Sequence, residues 1–151
     1  MACWSDTILE EAAGGAEDAP VLKLRSAFPE CTFASDQYAP LAANGDGPHD
    51  GLIPALCTRA HARVVVTFEP DKFSEAQLKP LDLEAQHPDE FLCYLLEEST
   101  PTMLQAVTEL AADMRDPPRT VLQLLELLGK VAPHFVDGIL YLLPPDMQSP
   151  G

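Results

Sequence analysis

The chain has 151 residues, 46% of them hydrophobic but only 7% aromatic, and its 24 acidic and 9 basic side chains leave a net charge of −15. That length suits one domain with an appendage. The charge argues against direct nucleic-acid binding and against an anionic membrane surface, because neither phosphate backbones nor acidic lipids are captured without clustered Lys or Arg. Residues 1–87 hold 14 acids and 6 bases, and residues 88–151 hold 10 acids and 3 bases, so the acidity is global and not a tail. A basic protein partner is electrostatically allowed.

The first residues, "MACWSDTILEEAAGG", place acids where a secretory signal needs bases and an apolar run. No run approaches the roughly 18 apolar residues of a membrane span. Both features predict an intracellular protein, cytoplasmic or nuclear. Cys3, Cys31, Cys57 and Cys93 are then expected as reduced thiols. Residues 1–50 form a loosely ordered acidic arm, with "GGAEDAP" and "AANGDGPHDG" as turn-forming stretches. Ser5 is positioned to cap a short helix over residues 6–13, with Trp4 packing back on Ile8 or Leu9 as a hydrophobic staple. A helix that short needs a surface to fold on. Trp4, Ile8 and Leu9 are therefore the candidate partner-binding residues.

Asn44, Asp46 and Asp50 alternate like the start of a calcium loop. Pro48, His49 and Ala55 then occupy the positions of a ligand, the tight-turn glycine and the bidentate glutamate, so the pattern fails. Residues 51–87 read as a mixed connecting segment. Pro54 suits the first turn of a helix reaching about Ala62, and Arg63–Phe68, with three valines, prefers a strand ending before Pro70. Ser74 and Gln77 have capping-box spacing for a short helix that Pro80 ends. Cys57 and His61, four apart, would share a helical face, but zinc needs about four ligands and no paired Cys or His accompanies them.

Residues 88–143 read as a compact four-helix bundle, or one unit of a helical-repeat stack without the further copies a solenoid needs. Pro88 opens the first helix, with Asp89 and Glu90 at its positive end. Thr100 and Pro101 start the second, Asp116 and Pro117 the third, and Pro133 the fourth, which Pro144-Pro145 stops; Gly129 and Lys130 suit the end of the third. On a helical wheel the apolar residues of the third, from Val121 to Val131, span an arc of about 220°, far wider than the ~100° stripe one neighbour covers. That predicts a central helix. The second, with an arc of about 120°, is predicted to be an outer one. The first is expected to bury Phe91, Leu92, Leu95 and Leu96, and the fourth Phe135, Ile139, Leu142 and Leu143.

LxxLL spacing recurs at Leu124–Leu128, and near copies occur at Leu92–Leu96 and Ile139–Leu143. One face of a docking helix has this spacing, and so does any buried leucine-rich helix; three copies in three core helices favour core. No G-x-S-x-G, P-loop or dinucleotide fingerprint occurs. The fold class is thus mainly α: an arm at 1–50, a mixed segment at 51–87, the bundle at 88–143 and a tail at 144–151. The functional expectation is a non-enzymatic adaptor or regulatory subunit that binds a protein partner, self-association included, with no cofactor and no metal. The alternatives are an acidic transcriptional activation segment, suggested by "PDEFLCYLLEES", and a small acid-base or thiol enzyme using Cys57 or His61.

Overall fold

The computed structural model describes residues 4–5, 32–33, 51, 53–115 and 117–145. The fold is mainly α, with six α-helices and four short strands among these residues. Strand β1 (Trp4–Ser5) pairs in parallel with β2 (Thr32–Phe33). Helix α1 spans Ile53–Ala60 and β3 Val64–Val66. Helix α2 covers Glu75–Leu78 and β4 Glu84–Gln86. Then come α3 (Pro88–Glu98), α4 (Thr100–Asp113), α5 (Val121–Leu128) and α6 (Pro133–Leu142).

The chain divides into two compact units: Met1–Val65 with Glu69–Ala85, and Val66–Phe68 with Gln86–Gly151. In the first, Cys57, Val65, Phe73, Leu78 and Leu83 form a small core. Helix α1 ends two residues earlier than the sequence suggests. His61 takes a left-handed backbone (φ 53°), which cannot continue a right-handed helix. Cys57 is therefore buried on the helix while His61 lies exposed beyond its end, and the shared face expected for the two does not form. At α2 the Ser74 hydroxyl accepts from the Gln77 N–H at 3.3 Å, as its spacing predicts. The α-helix ends before Pro80, as expected; a 3-10 turn then runs from Lys79 to Leu81, and left-handed Asp82 (φ 54°) ends it. Strands β3 and β4 pair. The Arg63 carbonyl accepts from the Glu84 N–H and the Gln86 carbonyl from the Thr67 N–H, so both strands advance in one direction.

In the second unit α3, α4, α5 and α6 share one aliphatic core. Pro88 and Pro133 each occupy the first turn of their helices, where a missing N–H costs nothing. Helix α4 begins one residue earlier than expected. Thr100 is its first residue, and its hydroxyl donates to the Leu96 carbonyl instead of capping. Helix α5 starts at Val121, not at Pro117. Pro118 disfavours helical backbone at Pro117, and a full capping box waits downstream: the Thr120 hydroxyl accepts from the Gln123 N–H at 3.2 Å and the Gln123 side chain from the Thr120 N–H at 3.0 Å. Asp116, the expected cap, lies outside the described residues.

Helix α6 supplies the largest share of the core, with Phe135 and Ile139 2% and 0% exposed, and α5 is buried on one face only: Leu124 and Leu125 are 4% and 1% exposed, whereas Leu127 and Val131, both counted on the wide arc, are 36% and 44% exposed. The wheel fails because α5 ends at Leu128, so Val131 never reaches the face it was assigned. Helix α4 fits its outer role, fully burying only Val107 and Ala111. In α3 Leu96 is the one fully buried leucine, and the other fully buried residue there is Asp89. Of the LxxLL leucines, Leu124 is core, Leu128 packs against the core and Leu127 is at the surface.

Candidate functional site

The chemistry of the second unit gathers where the start of α3 meets the start of α6. Helix α6 has a gap at its cap: Ala132 stands at the N-cap, with no side chain able to accept from the first free N–H groups. Asp89, 45 residues earlier, fills it. One carboxylate oxygen, Oδ1, accepts from the Phe135 N–H at 2.9 Å, and Oδ2 accepts from the His134 N–H at 3.2 Å and lies 2.7 Å from His134 Nδ1. Asp89 is 7% exposed and is the buried charged side chain of the described residues.

Burial pushes the Asp89 pKa up, as loss of water disfavours any charge. The Phe135 N–H bond, the His134 side-chain and backbone bonds and the His134 charge together outweigh it and hold the carboxyl below its ordinary value. Asp89 is thus a fixed anion at neutral pH. A charge so deeply buried is tolerable only because every bond it accepts ends on a donor already oriented by the helix.

The anion orients two imidazoles differently. Asp89 accepts at Oδ2 from His134, so neutral His134 carries its proton on Nδ1 and presents a bare Nε2 outward from a largely exposed side chain. At the N-cap of α3, His87 Nδ1 accepts from the Asp89 N–H at 3.1 Å, so neutral His87 carries its proton on Nε2. Both rings border a concavity of about 370 Å³ with Glu90 and Cys93. The His87 ring is also held edge-on by Phe68, with centroids 5.5 Å apart. The arrangement offers one proton acceptor and one proton donor beside an anchored carboxylate.

Cys93 does not add a nucleophile. Burial, then the charges of Asp89 and Glu97, push its thiol pKa up, and its Sγ lies 4.0 Å from Asp89 Oδ1 as a weak donor. Among the described residues no group of three or more His, Cys, Asp or Glu is placed to hold a metal ion. Of the candidates from the sequence, Trp4 sits in β1, while Ile8 and Leu9, with the helix expected over residues 6–13, lie outside the described residues. Ser5 belongs to β1, and the helix it was expected to cap lies outside the described residues. Cys57 and His61 are brought to no common site. Asp89 and His134 were missed because their partnership spans 45 residues; the one local hint is an alanine before "PHF" where a cap acceptor belongs.

Residues 88–140 match the family described as the VapC50 C-terminal domain. The match starts at the first residue of α3 and ends inside α6, so it contains both Asp89 and His134. Over 107 residues the chain is also 33% identical to a protein of Mycobacterium tuberculosis provisionally named as the ribonuclease VapC50, across 69% of this chain and 62% of that protein. The chain therefore spans less than two thirds of that relative's length. No solved structure matches it.

These similarities overturn the expectation of a non-enzymatic adaptor or regulatory subunit, and with it the expectation that the chain is no enzyme. The transcriptional alternative falls at the same point, and nothing supports a nuclear location. Composition described the surface, and a surface does not specify an activity. The absence of a local fingerprint does not exclude an enzyme, since catalytic groups assemble in space from distant positions. Among the described residues no helix is long and apolar enough to cross a membrane.

Proposed function

We propose that this chain is an RNA-cleaving enzyme of the kind the relative's name describes. The observation that carries the reading is the 33% identity over 107 residues to the protein named as ribonuclease VapC50. The match to that protein's C-terminal domain over residues 88–140 supports it from a second direction. With RNA as its substrate, the chain would act in the cytoplasm.

The expectation against direct nucleic-acid binding rests on charge, and this reading narrows it. With 24 acids against 9 bases, the chain does not gather RNA through a basic patch. RNA reaches it only when cations screen the repulsion, so cleavage should depend on the ionic conditions more than on added basic surface.

The test uses the full chain and a mixed-sequence single-stranded RNA, with DNA of the same sequence alongside. Reactions contain magnesium or manganese ions or a chelator, and a protein inhibitor of pancreatic-type nucleases removes contaminating activity. Products are read by mass spectrometry. The expected result is shortened RNA and intact DNA. RNA left intact under every condition refutes the proposal.

A further inference from the structure

The concavity where α3 meets α6 has a hydrogen-bonding pattern that the cap leaves open. Asp89 turns both carboxylate oxygens to α6, and its own N–H goes to His87 Nδ1. Three groups bordering the space of about 370 Å³ keep free capacity: the bare Nε2 of His134, the Nε2–H of His87 and the carboxylate of Glu90. Glu90 is exposed, on the first turn of α3, and Cys93 adds a less polar wall. At neutral pH two of these three groups accept and one donates.

The acidity of the chain gives this pattern weight. A sequence charged to −15 gains little from RNA phosphates, so its hold on RNA must come from the bases. Unpaired bases are read on their Watson–Crick edges, and those edges differ in their donors. Guanine offers two donors, N1–H and N2–H, beside the acceptor O6. Uracil and cytosine each offer one donor and two acceptors, and adenine one of each. Two acceptors and one donor on the protein complement guanine alone. A carboxylate also repels the extra acceptors of a pyrimidine edge.

We propose that this concavity binds an unpaired guanine of single-stranded RNA. His87 Nε2–H donates to O6, and His134 Nε2 and the Glu90 carboxylate accept from N1–H and N2–H between them. Phe68, packed edge-on to His87 at 5.5 Å between centroids, holds the donor ring in place. The Asp89 bond to Nδ1 holds the acceptor ring of His134. The ligand rests on the RNA-cleaving reading, and the base goes beyond it. Duplex RNA, whose guanine edges are already paired, is not a ligand.

Nucleosides carry no phosphate and so separate base from backbone. Their binding to the full chain is followed by NMR titration. Guanosine should bind at least about tenfold more tightly than adenosine, cytidine or uridine. Inosine, which lacks N2–H, and 1-methylguanosine, which lacks N1–H, should each lose about tenfold. 7-Deazaguanosine, altered away from this edge, should match guanosine. Glu90→Gln should weaken guanosine by about tenfold, and Glu98→Gln, at the far end of α3, should not. The pentamers UUGUU and UUAUU with 2′-O-methyl riboses carry the comparison to RNA, where the first should bind more tightly. Equal binding of the four nucleosides, or of none, disproves the site. So does guanosine binding that Glu90→Gln leaves unchanged or that UUGUU fails to reproduce. None of these outcomes needs cleavage. A chain that passes them and cuts no RNA overturns the RNA-cleaving reading alone, and one that cuts RNA but fails them overturns this site alone.

Discussion

Asp89 does at the residue scale what is usually done by the residue next to a helix. It caps α6 from another helix, and its 2.9 and 3.2 Å bonds hold Phe135 and His134 N–H groups that Ala132 leaves unpaired. Removing it strands those donors, at a cost of about 1–3 kcal/mol for a buried group left unsatisfied. Asp89→Ala should therefore lower the urea midpoint markedly. Asp89→Asn, which keeps an acceptor, should do less harm at neutral pH. The acid dependence follows from the direction of the shift. The folded carboxyl titrates below its ordinary value near 3.8, so the folded state binds fewer protons than the unfolded one. This stabilisation is fully present above the unfolded value and is lost as pH falls through it toward the lower folded value. Urea melts of wild type and Asp89→Asn across that window should converge on acidification. A constant gap would show that the charge contributes nothing.

Gly138 and Leu96 make a second residue-scale case. A Cβ at Gly138 would lie 2.8 Å from Leu96 Cδ2, so that side chain must move. Overpacking of this kind costs about 1–3 kcal/mol, set against about 1 kcal/mol gained when Ala replaces Gly inside a helix. Gly138→Ala alone should thus be neutral to destabilising. In a Leu96→Ala background the clash vanishes and the same change should stabilise by about 1 kcal/mol. A double-mutant cycle by chemical denaturation reads the sign reversal. Equal effects in both backgrounds would mean the helices separate readily at this point.

At the element scale, helix starts marked by proline were legible in the sequence. Pro88 and Pro133 stand in the first turn of α3 and α6 because the ring fixes the backbone and no N–H is missed. Pro117 misled, since its own neighbour Pro118 keeps it out of helix, while the true signal, Thr120 followed three residues later by Gln123, was in plain view. The one-sided burial of α5 was not legible: the wheel extended α5 past its real end at Leu128 and gave it Val131. The Asp89–His134 pair was not legible either, because no local pattern predicts a cap delivered from 45 residues away. The corrected burial separates α5's leucines. Leu124→Ala, at 4% exposure, should cost about 2–5 kcal/mol, and Leu127→Ala, at the surface, well under half of that. Thr120→Ala should cost about 1 kcal/mol through the lost cap. Thermal melts of the three variants should rank Leu124→Ala first by a wide margin. If Leu127→Ala is as damaging, the helix is covered on both sides and the wide arc was a sound guide.

At the scale of the whole molecule, the sequence carries a net charge of −15, spread along its length and not gathered in one tail. Such a charge repels a phosphate backbone over a Debye length, which shrinks from about 30 Å at 0.01 M salt to about 8 Å at 0.15 M. A nuclease that binds RNA through a basic patch loses affinity steeply over that range, since each neutralised phosphate contributes about −0.9 to the log–log slope on duplex DNA and about −0.7 on single strands. If the proposed RNA cleavage is this chain's activity, it is expected to do the opposite. With divalent ions held fixed, raising potassium chloride should lower KM for single-stranded RNA or leave it flat, because screening removes repulsion and there is little counterion release to lose. The measurement is KM against salt for one RNA, with kcat followed separately so that a change in turnover is not read as binding. A KM that climbs with a slope of several would place a cluster of Lys and Arg at the RNA, and net charge would then have been the wrong guide to how this protein meets its substrate.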